Sequence, residues 1–230
     1  MTTTAKALTR VLTDRFGLPA IKDDLLDLAL RHASVDRHRN NQRLEFLGDR
    51  VLGLIVAELL YEAYPDEPEG DLAVRHAALV RADTLAEIAR DLNLGTFLTL
   101  GESNSSGNLQ NLNNVLADAL EALIGAIYLS AGVPAAQTLI TALWQPQIKG
   151  MARPPQDPKS ALQEWAQGRG LPLPTYTLET REGPDHAPVF RIKVTLPNTD
   201  GAIGEGPSRR LAEKQAAQNL LTRLREEIEK

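Results

Sequence analysis

Two pairs of carboxylates lie within helical patterns that are otherwise apolar. Glu45 and Asp49 are four residues apart in "NQRLEFLGDRVL", and Asp118 and Glu121 are three apart in "NNVLADALEALIGAIYLSAG". Either spacing places both acids on one face of a helix, where like charges repel and weaken the helix slightly. A buried ionised carboxylate also carries a large desolvation cost unless another group compensates it. These four acids are therefore the first candidates for chemistry.

A divalent cation is one group that could compensate them. If the two helices pack side by side, four clustered carboxylates would form a site for a hard cation, and oxygen ligands favour Mg²⁺ or Mn²⁺ over zinc. The alternative is that each acid is solvated or pairs with a base. Arg50 follows Asp49 directly, but adjacent residues of a helix point to different faces. Spacing alone leaves both interpretations open.

Composition limits the class of protein. The 230 residues have room for one large domain or two modest ones, with 43% hydrophobic residues to form a core. The chain has no cysteine, which excludes disulfides and thiolate zinc sites. We find no apolar run approaching the roughly 20 residues of a membrane span and no secretory signal. We therefore expect a soluble cytoplasmic protein with no membrane partner.

The charge is distributed unevenly along the chain. The net charge is −5, but from Asp157 onward 11 basic residues balance 11 acidic ones, so the preceding part carries the whole imbalance. An acidic first part and a balanced second part indicate two modules with different roles. For binding to a polyanion, the placement of the basic residues matters more than their sum.

The first part of the chain, residues 1–149, reads as a succession of helices. Gly, Pro and Asn interrupt an apolar periodicity that is typical of helices, and we find no strand-like alternation. Asp71 is a candidate N-cap after "YPDEPEGD". The predicted helices are 5–15, 22–31, 41–63, 71–93, 111–130 and 134–149.

The pattern changes after a proline-rich stretch. "GMARPPQDP", residues 150–158, contains three prolines and is the predicted linker. Residues 159–230 then predict a short helix, three strands in "TYTLETREG", "PVFRIKVTLP" and "GAIGEGPS", and a long closing helix capped by Ser208. The glycines of "GEGPS" are expected to allow a close approach of strand and helix. The predicted order is α-β-β-β-α.

Three motifs resemble those of one enzyme family. "NQRLEFLGDRVL" resembles the signature of ribonuclease III, "LADALEALIGAIYL" its second catalytic motif, and "GEGPSRRLAEKQAAQNLL" the end of a double-stranded-RNA-binding domain. The resemblance covers nearly the whole chain in the family's order. It implies an all-α endonuclease domain with the ribonuclease III fold, followed by a small α+β domain that binds double-stranded RNA.

The resemblance also assigns roles to the acids. All four match the family's metal-binding carboxylates, with Asp49 and Glu121 the principal catalytic residues, and the implied cofactor is Mg²⁺, with Mn²⁺ as a substitute. Gln42 stands where many members have Glu, so secondary contacts to metal or substrate are in doubt. Glu69 matches another acidic position near the substrate, although an exposed loop acid is an equal alternative. His32 and His76 are expected to serve packing or capping.

In the second domain the resemblance implies three contacts with RNA. Double-stranded RNA is recognised by its shape, through 2′-hydroxyls and phosphates. Each contact has a simpler alternative, such as a solvated helix start or a loop histidine, and Glu213 stands where many such domains carry a base. The implied RNA-binding residues are Gln163 and Glu164 on the first helix, His186 in a loop, and Ser208, Arg209, Arg210 and Lys214 on the last helix.

The resemblance therefore implies an Mg²⁺-dependent endonuclease of double-stranded RNA that works as a homodimer. Its products would carry 5′-phosphates, 3′-hydroxyls and short 3′ overhangs, and its substrates would be ribosomal and other structured RNA precursors. The alternative is a double-stranded-RNA-binding protein with a catalytically silent nuclease fold. A generic metal-dependent phosphatase is a third option, which the second domain disfavours.

Overall fold

The chain divides into two compact units, Met1–Pro155 and Gln156–Lys230. The computed structural model describes residues 3–101, 109–184, 187–197 and 199–228. The candidate His186 lies outside these described residues. Each unit has its own hydrophobic core, and the two are described separately.

The first unit is helical, as the sequence predicts. Its core is formed mainly where the helices Gln42–Ala63 and Ala82–Asp91 pack on the long helix Leu109–Gly150, with Leu52, Ile55, Leu120 and Ile124 almost fully buried. Apolar side chains at helical spacing provide these faces. The elements are α1 (Thr3–Phe16), α2 (Asp23–Ala29), α3 (Gln42–Ala63), α4 (Glu69–Leu79), α5 (Ala82–Asp91), a 3₁₀ turn (Leu94–Phe97) and α6 (Leu109–Gly150).

Two details of the predicted helices are wrong. The stretch 71–93 is not one helix, because Arg81 adopts an extended conformation (φ −75°, ψ 152°) between α4 and α5. The Thr84 hydroxyl donates to the Ala78 carbonyl at 2.8 Å and so satisfies the end of α4. Asp71 is not the N-cap either: Pro68 occupies that position with an extended backbone, so α4 begins earlier and Asp71 lies in its first turn.

Helix α6 is kinked at the predicted interruption between residues 130 and 134. Gly132 has φ 78° and ψ −174°, a conformation outside the helical region that glycine adopts readily. Pro134 follows two residues later and cannot donate a backbone hydrogen bond. The two predicted helices are therefore the two arms of α6.

The expectation that no segment is long and apolar enough to span a membrane needs correction. Within the described residues, one helical segment, Leu112–Gly150, meets that description by length and composition. Half of its most apolar stretch is buried inside the protein, as in the core helix of a soluble domain. Its length and composition are therefore weak evidence for a membrane span.

A buried arginine fixes the C-terminal end of α6. Arg75 is 1% exposed, and its guanidinium donates to both carboxylate oxygens of Glu67 at 2.6 and 2.7 Å and to the Met151 carbonyl at 2.5 Å. The guanidinium lies 3.7 Å from the ring centroid of Tyr64, whose hydroxyl donates to the Ile148 carbonyl at 2.7 Å. Side chains thus satisfy the Ile148 carbonyl in the last turn of α6 and the Met151 carbonyl just after the helix.

The second unit has the predicted α-β-β-β-α order. A three-stranded antiparallel sheet, with its strands in chain order, shares with two helices a core that includes Leu162, Val194 and Leu220. The elements are α7 (Pro158–Gln167), β1 (Thr175–Glu182), β2 (Val189–Thr195), β3 (Ala202–Gly206) and α8 (Arg209–Ile228).

The close approach of β3 and α8 depends on glycine, as the sequence predicts. A Cβ atom at Gly204 would lie 2.1 Å from the Ala216 backbone nitrogen, and one at Gly206 would lie 2.9 Å from that of Ala212. The missing side chains let α8 lie directly on the strand. This contact fixes the start of α8, which carries the candidate RNA-binding bases.

Candidate metal centre and nucleic-acid interface

Two glycines allow α3 and α6 to cross with their backbones in contact. A Cβ atom at Gly48 would lie 1.8 Å from the Glu121 carbonyl oxygen, and one at Gly125 would lie 2.4 Å from the Leu44 carbonyl oxygen. Because the backbones touch at this point, the acids of one helix lie beside the acids of the other. The role of these two glycines was not predicted from the sequence. A glycine in the interior of a helix lowers its stability by up to about 1 kcal/mol relative to alanine. The presence of one in each of these helices was therefore the sequence feature that could have indicated a close helix crossing.

Three carboxylates meet at this crossing. Glu45, Asp118 and Glu121 are each partly buried, and each offers one carboxylate oxygen such that all three oxygens lie within 4.8 Å of one another. Oxygen ligands at this separation match the donor set of a hard divalent cation. All three carboxylates belong to the part of the chain that the structure describes.

The electrostatics of the cluster favour a bound cation or a proton. Burial, together with repulsion from neighbouring carboxylates, raises the pKa of Glu121 to about 8. Burial and the charges of Asp118 and Asp49 also raise the pKa of Glu45. Burial raises the pKa of Asp118 as well, with His32 offsetting part of the effect. The fold therefore gathers carboxyl groups at a place where their ionised forms are disfavoured.

Asp49 lies near the three-carboxylate cluster, but its own carboxylate contacts an arginine instead of joining the cluster. Its charge contributes to the raised pKa of Glu121 and Glu45, so it is close to both, yet its carboxylate contacts the Arg50 guanidinium. Arg50 also lies over the Phe46 ring, 5.5 Å from its centroid. Asp49 and Arg50 therefore do not face apart, as adjacent residues of a helix were expected to, because the long arginine side chain bends back to its neighbour.

The start of α3 is fixed by Asn40, a residue whose role was not predicted from the sequence. Asn40 is 9% exposed; its side-chain oxygen accepts from the Gln42 N–H at 3.0 Å, and its amide donates to the Asp36 and Arg37 carbonyls. Asn is a common residue at such chain reversals. This network sets where α3 begins, three residues before Glu45.

The secondary candidates lie elsewhere on the first unit. Gln42 is exposed and lines an apolar groove of about 740 Å³. Glu69 is the exposed first residue of α4, and within the described chain it is outside the three-carboxylate group. His76 Nε2 lies 2.9 Å from the Gly53 carbonyl oxygen, which agrees with a packing role. The Ser34 N–H donates to His32 Nδ1 at 3.1 Å.

The basic residues at the start of α8 are exposed on the second unit. The Ser208 oxygen accepts from the Leu211 N–H at 3.3 Å, so the predicted capping role is confirmed. Arg209 and Arg210 follow it in the first turn and are exposed, beside the partial positive charge of the helix N-terminus. Gln163 and Glu164 are exposed on α7.

Lys214 is engaged in an ion pair. Its Nζ lies 2.7 Å from the Asp157 carboxylate, which also accepts from the Lys159 N–H at 3.0 Å and so caps α7. Lys159 Nζ in turn lies 2.5 Å from the Glu213 carboxylate. Two crossed ion pairs therefore join the starts of α7 and α8.

Comparison with known proteins identifies both units. Residues 22–147 match the family model described as Ribonuclease-III-like, and residues 158–224 match the double-stranded RNA binding motif. The chain belongs to the ribonuclease III family. It is 45% identical to a Ribonuclease 3 of Jannaschia sp. over 96% of this chain and 97% of that relative. It is 48% identical to a Ribonuclease 3 of Dinoroseobacter shibae, with 92% and 93% covered.

Solved structures agree with this assignment for the first unit. The nuclease domain of ribonuclease III from Campylobacter jejuni is 37% identical with a TM-score of 0.54, covering 63% of this chain and 96% of that one. Family membership and the RNA-binding motif make the chain an endonuclease of double-stranded RNA. Nothing in the comparisons favours a catalytically silent member.

Proposed function

We propose that this family member hydrolyses phosphodiester bonds of double-stranded RNA at the α3–α6 crossing, with Mg²⁺ as its cofactor and Mn²⁺ as a substitute. The observation that supports this most is the meeting of Glu45, Asp118 and Glu121 within 4.8 Å. Asp49, on the same helix face as Glu45, completes the proposed ligand set, and Asp49 and Glu121 are the proposed principal catalytic residues.

The residues fit a divalent cation on electrostatic grounds. Two carboxylates at about 4 Å repel by roughly 4 kcal/mol at an effective dielectric of 20, and a cation between them reverses the sign. The raised pKa of Glu121, to about 8, shows how strongly its ionised form is disfavoured without such a cation. The all-oxygen donor set favours Mg²⁺ or Mn²⁺ over softer metals.

The carboxylates would hold the cation, and α3 and α6 would fix their positions. When bound, such a cation supplies an activated water and neutralises charge at the scissile phosphate. Asp49 has to turn from Arg50 toward the cluster to join the ligand set, while Gln42 and Glu69 are proposed to contact substrate. The rigid glycine crossing holds the other three acids in place before substrate arrives.

The second unit is proposed to recognise the RNA duplex by shape. Arg209 and Arg210 would contact phosphates at the α8 N-terminus, and Gln163 and Glu164 would face a minor groove. His186, Ser208 and Lys214 complete the proposed interface. Cleavage would leave 5′-phosphates and 3′-hydroxyls with short 3′ overhangs, in ribosomal and other structured RNA precursors of the cytoplasm.

A homodimer is proposed on the basis of an exposed apolar face of α3. Phe46, Leu54 and Tyr61 are 67%, 68% and 75% exposed, and their spacing places them on one side of the helix. The groove next to them is lined by Leu25, Leu28, Leu44, Leu47 and Leu129. A projecting ring beside an apolar groove suits a self-complementary twofold interface. A structure of the Campylobacter jejuni nuclease domain is described as showing flexibility in the region involved in dimer formation.

A cleavage assay on a labelled RNA hairpin tests the proposal, with a single-stranded RNA of the same composition as control. We expect cleavage of the hairpin only, and only with Mg²⁺ or Mn²⁺ rather than chelator. Asp49→Asn and Glu121→Gln should each reduce cleavage by at least about 10³-fold and keep hairpin binding. Glu87→Gln, which removes an exposed acid of α5, should cleave normally.

Two outcomes would contradict the proposal. If Asp49→Asn or Glu121→Gln cleaves at the normal rate, the site is misassigned. If the chain binds the hairpin but does not cut it with any divalent cation, the silent alternative is correct.

A further inference from the structure

Lys214 lies on the same side of α8 as the exposed base Arg210. The two residues are four apart, which places their side chains one turn above each other. Arg210 is exposed, whereas Lys214 Nζ is already 2.7 Å from the Asp157 carboxylate. The basic surface of α8 is therefore partly neutralised by the chain itself.

The ion pair between Lys214 and Asp157 is exposed enough for Lys214 to exchange the carboxylate for another anion. The Lys214 and Asp157 side chains are 36% and 38% exposed, so water and other anions can reach both. Pairs of this kind contribute little to stability. A phosphate oxygen would offer Lys214 the same kind of charge-assisted hydrogen bond that the carboxylate offers.

Asp157 is well placed to hold Lys214. Burial alone would raise the pKa of Asp157, but hydrogen bonds from Lys214 Nζ and from the Lys159 N–H outweigh it and place the pKa below its ordinary value. Asp157 therefore stays ionised near neutral pH. Its position is fixed by its role as N-cap of α7.

We propose that Asp157 is an internal competitor of the RNA phosphate for Lys214, and so limits the affinity of the second unit for double-stranded RNA. This inference rests on the proposed RNA-binding function. On binding, Lys214 exchanges the carboxylate for a phosphate, and the interaction energy with Asp157 is lost. A substitution that removes the charge of Asp157 but keeps its role as N-cap of α7 should therefore increase the affinity for double-stranded RNA.

The test uses Asp157→Asn in the full chain, with chelator present so that RNA is bound but not cut. Asn is as good an N-cap as Asp, so α7 should be preserved. From the energy of exposed ion pairs we expect Kd for a labelled duplex at low salt to fall about two- to fivefold. Asp157→Ser, a second cap residue, should give the same result.

A matched control and a double variant separate the proposal from a general charge effect. Glu226→Gln removes an exposed acid of the same unit, about 18 Å from Lys214 along α8, and should leave Kd unchanged. In a Lys214→Gln background, adding Asp157→Asn should give no gain. The inference would be overturned if Asp157→Asn increased the affinity for the duplex equally with and without Lys214. It would also be overturned if neither Asp157→Asn nor Asp157→Ser alone increased that affinity. A wild-type chain that does not bind the duplex would instead refute the proposed function.

Discussion

At the residue scale, two things decide where the carboxylate of each acid lies: the helix face that the residue occupies and the charged group that its side chain meets. Helical periodicity placed Glu45 with Asp49, and Asp118 with Glu121, on single helix faces. Three of these acids meet, but the contact of Asp49 with Arg50 could not be read from the sequence, because it depends on how a long flexible side chain bends. Spacing predicts a shared face, whereas side-chain direction is decided by local electrostatics.

The raised pKa of Glu121 predicts a pH-dependent stability of the metal-free protein. The folded chain keeps the proton up to about pH 8, whereas the unfolded chain releases it near its ordinary pKa of 4.5. The unfolded state therefore binds fewer protons between these values, and the free energy of unfolding falls as pH rises through this window. Glu121→Gln has no proton to lose, so it should be about 1–2 kcal/mol more stable than wild type at pH 8, a value reduced because the side chain is partly exposed.

Thermal unfolding in chelator from pH 4 to pH 9 measures this difference. The two proteins should unfold at similar temperatures near pH 4 and diverge above pH 5. Mg²⁺ should raise the unfolding temperature of the wild type at pH 8 more than that of the variant. A constant difference across the whole pH range would show that Glu121 does not titrate in this window.

At the element scale, the existence of the helices was predictable and their contacts were not. The apolar period indicates which face of α3 or α6 is buried, but not which helix it meets or how closely. That information lies in Gly48 and Gly125, whose meaning appears only when both backbones are placed. The break between α4 and α5 was missed for a similar reason, because residues 71–93 contain no Gly or Pro to mark it.

Gly48→Ala should separate α3 from α6. The added Cβ would lie 1.8 Å from the Glu121 carbonyl oxygen, and because backbone cannot turn aside as a side chain can, the helices must move. We expect a loss of about 1–3 kcal/mol or more in the free energy of unfolding, and weaker Mn²⁺ binding by the displaced acids. Denaturant unfolding and Mn²⁺ titration measure these effects.

Gly53→Ala is the matched control on the same helix. Its Cβ would lie 3.7 Å from His76 Nε2, an ordinary contact, so the substitution should be neutral or should stabilise the helix by up to about 1 kcal/mol. Equal behaviour of the two variants would mean that the close crossing does not control the site.

At the scale of the whole molecule, the proposed homodimer predicts the effect of a single exposed residue. Phe46→Asp places a charge where a partner's apolar groove would receive a ring, so we expect the dimer to weaken by about 2 kcal/mol or more, roughly 30-fold in Kd. Light scattering across a range of protein concentrations measures this. Leu173→Asp, at a position 56% exposed in the second unit, should leave the dimer intact.

The proposed dimer interface would be wrong if Phe46→Asp and Leu173→Asp showed the same mass at every concentration. A monomeric wild type would also refute it. In either case, the apolar face of α3 would need another occupant.

Because Arg75 anchors Met151, we expect a protease cut in the linker that follows to leave the first unit folded. The side-chain network of the first unit ends at the Met151 carbonyl, and that of the second begins at Asp157. A protease that cuts between these two positions would therefore break no anchoring bond of either unit. We expect two fragments that each keep their fold but are no longer covalently linked. RNA bound by the second unit would then no longer be held at a high local concentration near the nuclease unit.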